Sequence, residues 1–155
     1  MFLICSQVLG HFGLETLSRG AASCVFCDKS NKACNVIKKN IEKTKFEDKS
    51  KLYTLDYKLC ITELKNQKFD LIFLDPPYES NLIYLSIKEI IASNILKNDG
   101  LIIAETDNDV DVINELNELN IDILKIKKYG RVKLLFIRKV ALPHVTIASQ
   151  SDELR

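Results

Sequence analysis

Along this chain, short apolar runs alternate with longer polar stretches in which hydrophobic residues recur at helical spacing. "FLICSQV" near the start, "SCVFCD" at 23–28, "LYTLD" at 52–56, "FDLIFLD" at 69–75 and "GLIIAET" at 100–106 are rich in β-branched and aromatic residues. Strands buried on both faces of a parallel sheet have this composition. Between them, the segment that opens at Ser30-Asn31 carries Ala33, Val36, Ile37 and Ile41 on one helical stripe. Further helices are predicted from about Leu82 through "IYLSIKEIIAS" and through "VDVINELNEL". Strict alternation of strand and helix predicts a parallel sheet covered on both faces. The ending departs from it: "IDILKIKKYG" and "RVKLLFIRKV" are strand-like runs meeting at Tyr129-Gly130, which predicts a closing antiparallel hairpin. "ALPHVTIASQSDELR" is polar and contains Pro143, and is expected to be a weakly ordered tail. The expectation is thus one domain over residues 1–140 and a tail over 141–155.

Composition fits that organisation and removes some alternatives. A chain of 155 residues, 46% of them hydrophobic, can bury one proper core. Its formal net charge of +1 creates no global field toward nucleic acid or membrane, so any nucleic-acid contact must be local. Five cysteines, an odd number on apolar segments, suit reduced thiols in a cytoplasmic protein. Cys24 and Cys27 have redox or zinc spacing, but alternation along a strand explains the pair better and no metal is expected. No apolar stretch reaches bilayer length, and "MFLICSQVLG" lacks the basic start and cleavage site of a signal peptide, so a soluble intracellular protein is expected.

In doubly wound sheets, ligands bind beyond the carboxyl ends of the strands. Four such ends carry informative residues. In "VLGHFGLETLSRGA", Gly10 and Gly13 stand where the first strand turns into a helix; they either let backbone amides approach a ligand or merely allow a tightly packed turn. Asp28, ending the second strand, can accept hydrogen bonds from ribose hydroxyls, or can serve the Ser30 helix as a cap. Asp56 can accept a hydrogen bond from an adenine amine with Tyr57 lying against the ring; the alternative is a turn aspartate beside a partly exposed tyrosine.

The fourth end, "LDPPY", is the most specific. Exocyclic amines of nucleobases are poor nucleophiles because their lone pair is delocalised into the ring. The Asp75 carboxylate and the Pro76 carbonyl can accept both N–H bonds of such an amine and stabilise the positive charge that develops as it is alkylated. Pro76 and Pro77 fix φ and remove competing donors, and Tyr78 offers a ring on which an extruded base can lie. A rigid turn that merely uses proline is the competing reading.

These residues resemble a known family. "LDPPY" is similar to the Asp-Pro-Pro-Tyr motif of S-adenosylmethionine-dependent amino methyltransferases. More narrowly, "FGLETLSRGAASCVFCDKSNKACNVIKKNIEK" resembles the bacterial enzymes that methylate a guanine N2 of 16S ribosomal RNA. Asp28, the Asn40 helix, Asp56 and the Asp75 motif follow in that family's order, and the likeness covers about residues 10 to 139. The resemblance implies a class I, Rossmann-like methyltransferase fold, a mostly parallel seven-stranded sheet ending in an antiparallel hairpin. It implies that Gly10 and Gly13 belong to the cofactor loop, that Asp28 holds the cofactor ribose and that Asp56, with Tyr57 beside it, contacts the adenine. Asp75, Pro76, Pro77 and Tyr78 would hold the guanine amine near the methylsulfonium, for direct in-line transfer without metal or covalent intermediate. Ribosomal RNA or an assembling small ribosomal subunit is the implied partner of a monomeric enzyme.

Departures from the family pattern are concentrated at the start. Where the family has an aspartate and a Gly-Ser/Thr-Gly stretch, this chain has Ile4 and Val8-Leu9-Gly10, and nothing in it corresponds to the family's basic N-terminal arm. Two other readings therefore stand beside the first: a catalytically impaired relative that binds RNA or a partner, and an amino methyltransferase acting on adenine or cytosine in DNA or on a protein glutamine. A local basic cluster, "KIKKYGRVK" at 125–133, places five positive charges on the predicted hairpin, either to meet phosphates or to keep an edge strand from pairing with another molecule. His11, Glu15 and His144 are assigned no chemistry.

Overall fold

A computed structural model describes residues 2–6, 10–77 and 81–141, the first of these segments by its backbone alone. The predicted tail beyond Ala141, Tyr78 and Val8 lie outside the described residues. The strands are β1 (Phe2–Ser6), β2 (Cys24–Asp28), β3 (Ser50–Thr54), β4 (Phe69–Asp75), β5 (Leu96–Thr106), β6 (Ile121–Tyr129) and β7 (Val132–Lys139). The helices are α1 (His11–Ser18), α2 (Asn31–Thr44), α3 (Tyr57–Glu63), α4 (Leu82–Ala92) and α5 (Asp109–Leu116).

The strands form one mixed sheet in the order β3-β2-β1-β4-β5-β7-β6. β1 pairs in parallel with β2 and β4, β2 with β3, and β4 with β5. β7 runs antiparallel to both β5 and β6, which makes the predicted hairpin, turning at Gly130 with φ +62°. Chain order reverses between β1 and β4, so the crevice favoured for ligands opens above the carboxyl ends of these two neighbours.

Two apolar layers cover the faces. On one side Leu14 and Leu17 of α1 and Ile37 and Ile41 of α2 pack on Phe26, Phe73 and Ile103, with the Phe12 ring stacked on Phe73 at 4.2 Å. On the other, Cys60 and Ile61 of α3, Ile83, Ile87 and Ile90 of α4 and Val112 and Leu116 of α5 pack on Cys27, Ile72, Leu74, Ile102 and Ala104. Every residue of β2 is buried, as a strand covered on both faces requires. Cys24 and Cys27 belong to opposite layers, so their thiols diverge rather than converge on an ion.

Three details depart from the sequence reading. The inner stripe of α2 is Cys34, Ile37 and Ile41, whereas Ala33 and Val36 are only partly covered. β5 begins at Leu96 rather than Gly100: its pairing with β4 jumps from Phe69↔Leu96 to Leu71↔Leu101, so the polar residues 97–99 fall in an irregular stretch. Asp56 does not end a strand. β3 stops at Thr54, and Asp56 is the N-cap of the unforeseen α3, its side chain accepting the Leu59 N–H.

Candidate active site

A cavity of about 290 Å³ opens at the carboxyl ends of the strands. Its wall comes from Cys27, Asp28 and Lys29 at the end of β2, Leu55 to Lys58 after β3, Leu74 to Pro77 at the end of β4, and Leu82 and Ser86 of α4. Six of the residues singled out in the sequence as strand-end acceptors or their neighbours therefore meet here: Asp28, Asp56, Tyr57, Asp75, Pro76 and Pro77.

Asp75 is held at the end of a strand whose residues 72–74 are core, and is itself 6% exposed. Its Oδ2 atom is buried and has no hydrogen-bond partner among the described residues. A buried acceptor without a donor is costly in a folded protein and marks a place where a ligand's N–H or O–H completes the site. Burial, and after it the negative charge of Glu105, push the Asp75 carboxyl up from an ordinary 3.8 to about 6. Backbone alignment places Ser6, the last residue of β1, opposite Asp75, so the acceptor stands at the reversal point itself.

Asp28 is also buried. Its Oδ1 accepts the Ser30 N–H at 2.7 Å, while the Ser30 side chain caps α2 by accepting from Ala33. The cap of α2 is therefore Ser30 and not Asp28, whose carboxylate, with about four acceptor positions, braces the turn before the helix and lines the cavity. Asp56 likewise divides its capacity between capping α3 and facing the cavity, and Tyr57, the first residue of α3, lies partly buried between core and cavity.

The two glycines are placed differently. Gly10 is the N-cap of α1 with φ 73°, and a Cβ on it would lie 3.2 Å from Ile37 Cγ2 and 3.4 Å from Phe26 Cε1. Gly13 lies inside α1, buried, with the Thr16 hydroxyl donating to its carbonyl. Ile37 and Phe26 thus close the space beside Gly10, and neither glycine is among the residues that line the cavity. Leu82 and Ser86 were not anticipated from the sequence. They are four residues apart on α4, beside its core stripe of Ile83, Ile87 and Ile90, and that i, i+4 spacing was the available signal.

A mixed sheet of this order, with a carboxylate-lined cavity at its reversal point, defines a class I methyltransferase fold. Solved structures share it: a conserved hypothetical protein from Streptococcus pyogenes is 28% identical with TM-score 0.75, the match covering 89% of this chain and 86% of that one. The SAH-bound methyltransferase PaMTH1 from Podospora anserina, at 19% identity and TM-score 0.74, matches over 90% of this chain and 71% of its own and shows likeness of fold. The family model described as "Conserved hypothetical protein 95" matches residues 9–138, and the chain belongs to that family. Among its relatives, the Ribosomal RNA small subunit methyltransferase D of Haemophilus influenzae is 33% identical over 113 residues. That match covers 70% of this chain and 57% of the relative, so the chain spans little more than half that protein's length.

Proposed function

We propose that this chain is an S-adenosylmethionine-dependent methyltransferase domain that methylates the exocyclic N2 amine of a guanine in small-subunit ribosomal RNA. The observation that carries this reading is the buried, unpartnered Oδ2 of Asp75 at the cavity, followed by the Pro76 carbonyl. The names of the ribosomal RNA methyltransferase relatives support RNA as the acceptor.

The cavity's chemistry fits the cofactor. Asp28 offers acceptors for a pair of ribose hydroxyls, Asp56 offers one for an adenine amine, and Cys27, Leu55, Leu74 and Leu82 supply the apolar surface that a nucleoside base needs. When bound, the cofactor supplies an electrophilic methyl group. The chain's part is to orient the amine and stabilise its developing charge: Asp75 accepts one amine N–H, the Pro76 carbonyl accepts the other, and Tyr78 offers a face for the extruded base. Two acceptors on one nitrogen draw its lone pair out of conjugation, and the carboxylate stabilises the cationic product before the proton departs. Gly10, the N-cap of α1, would contribute by leaving the first backbone amides of the helix open to the cofactor.

Because the acceptor must be ionised, methyl transfer is expected to fall as pH drops through about 6 and to level off above it. Stability responds in the opposite sense. The folded carboxyl holds its proton up to about 6 whereas the unfolded one releases it near 3.8, so stability declines as pH rises between those values. Asp75→Asn should remove that decline, so that urea midpoints across the interval no longer fall as pH rises; a variant whose midpoints fall as the parent's do would assign the effect to another group. The reading itself is tested with radiolabelled cofactor and a panel of acceptors. Label on the guanine N2 of small-subunit RNA supports it, label on DNA or a protein glutamine would move the substrate, and cofactor binding without any transfer would identify an impaired relative.

A further inference from the structure

The β6–β7 hairpin carries charge that the cavity does not use. Lys127, Lys128 and Arg131 are exposed at its tip, and Tyr129 among them is 58% exposed. Strand register puts this tip on the cavity's edge of the sheet: Thr106, the last residue of β5, lies opposite Lys133, and Lys133 opposite Lys128. With neighbouring strands about 4.8 Å apart, the tip stands three strands and roughly 14 Å from the end of β4. It is also fixed in place. Lys133 Nζ lies 3.2 Å from Asp109 Oδ1 and donates to the Asp107 carbonyl at 2.8 Å, and Lys128 Nζ is 3.9 Å from Asp109 Oδ2. Lys127 and Arg131 have no acidic partner among the described residues.

We propose that the hairpin tip binds the single-stranded RNA that flanks the target base, with phosphates against Lys127, Lys128 and Arg131 and a neighbouring base stacked on Tyr129. The inference rests on the reading of RNA as the acceptor. Protection of a sheet edge accounts for lysines along β6 but not for the whole tip: Arg131 lies in the turn, beyond the last ladder pair Tyr129↔Val132, where a charge guards no strand. An exposed tyrosine between cations is the arrangement by which proteins hold single strands without reading sequence.

The test is fluorescence anisotropy of a labelled single-stranded RNA fragment, titrated with the chain over a series of salt concentrations. The double variant Lys127→Ala with Arg131→Ala should reduce the slope of log affinity against log salt by about 1.4, at about 0.7 for each phosphate contact to a single strand. Tyr129→Ala should weaken binding about tenfold with an unchanged slope. Binding of S-adenosylhomocysteine and the melting temperature should be those of the parent in both variants. Parent-like slope and affinity in the double variant would overturn the proposal, as would variants that self-associate while keeping their RNA affinity, the result edge protection predicts. A parent that binds S-adenosylhomocysteine but no RNA would overturn the RNA reading itself.

Discussion

Replacing Asp75 with alanine should abolish methyl transfer, by at least 10²–10³-fold, while leaving affinity for S-adenosylhomocysteine close to the parent's. The magnitude is that expected when one preorganised partner of a developing charge is removed. The separation of effects follows from the site. Asp75 stands at the end of β4, whereas the carboxylates suited to ribose and adenine are Asp28, which ends β2, and Asp56, which follows β3. Folding should not suffer, because a buried oxygen that lacks a donor stabilises nothing in the free protein. Transfer assays and calorimetry on the same preparation decide the matter. Parallel loss of binding and folding would make Asp75 a structural residue and remove it from the chemistry.

A second large effect concerns the wall of the cavity. Ile87 is fully buried on α4, between Ile83 and Ile90 and against the sheet, and the same helix presents Leu82 and Ser86 to the cavity. Ile87→Ala should cost about 2–5 kcal/mol, the transfer of lost methyl groups plus a cavity that the rigid sheet cannot close. In a domain of this size that lowers the melting temperature by roughly 5–15 °C. Denaturant unfolding monitored by circular dichroism gives the value directly, and a cost under about 1 kcal/mol would mean that the core around α4 collapses onto the gap.

The sequence was legible where one periodicity held over a whole element. β2 is apolar up to its closing aspartate and β4 is apolar from Leu71 to Leu74, α4 repeats isoleucine at helical spacing, and the hairpin announces itself at Tyr129-Gly130. It was less legible where one residue does two jobs. Asp56 was read as a ligand at a strand end, and that reading hid its other role as the cap of α3, whose seven residues carry too little periodic signal to stand out. The start of β5 was obscured because residues 97–99 are polar and lie in a register shift, a feature of pairing that no single strand encodes. Gly10 and Gly13 show a further limit. The need for glycine is evident in the sequence, yet its observed cause at Gly10 is the closeness of Ile37 and Phe26, which lie 16 or more residues away. The unpartnered Oδ2 of Asp75 could not have been foreseen at all, since it depends on what the assembled fold fails to supply.

If the site is as described, the ends of β2, β3 and β4 build one pocket for cofactor and acceptor. Calorimetric titration of the chain with S-adenosylhomocysteine, beside its Asp28→Ala variant, tests it most directly. The parent should give saturable micromolar binding, sharply weakened in the variant. A folded parent that gives no binding heat at any temperature tried, or a variant that binds as the parent does, would contradict it.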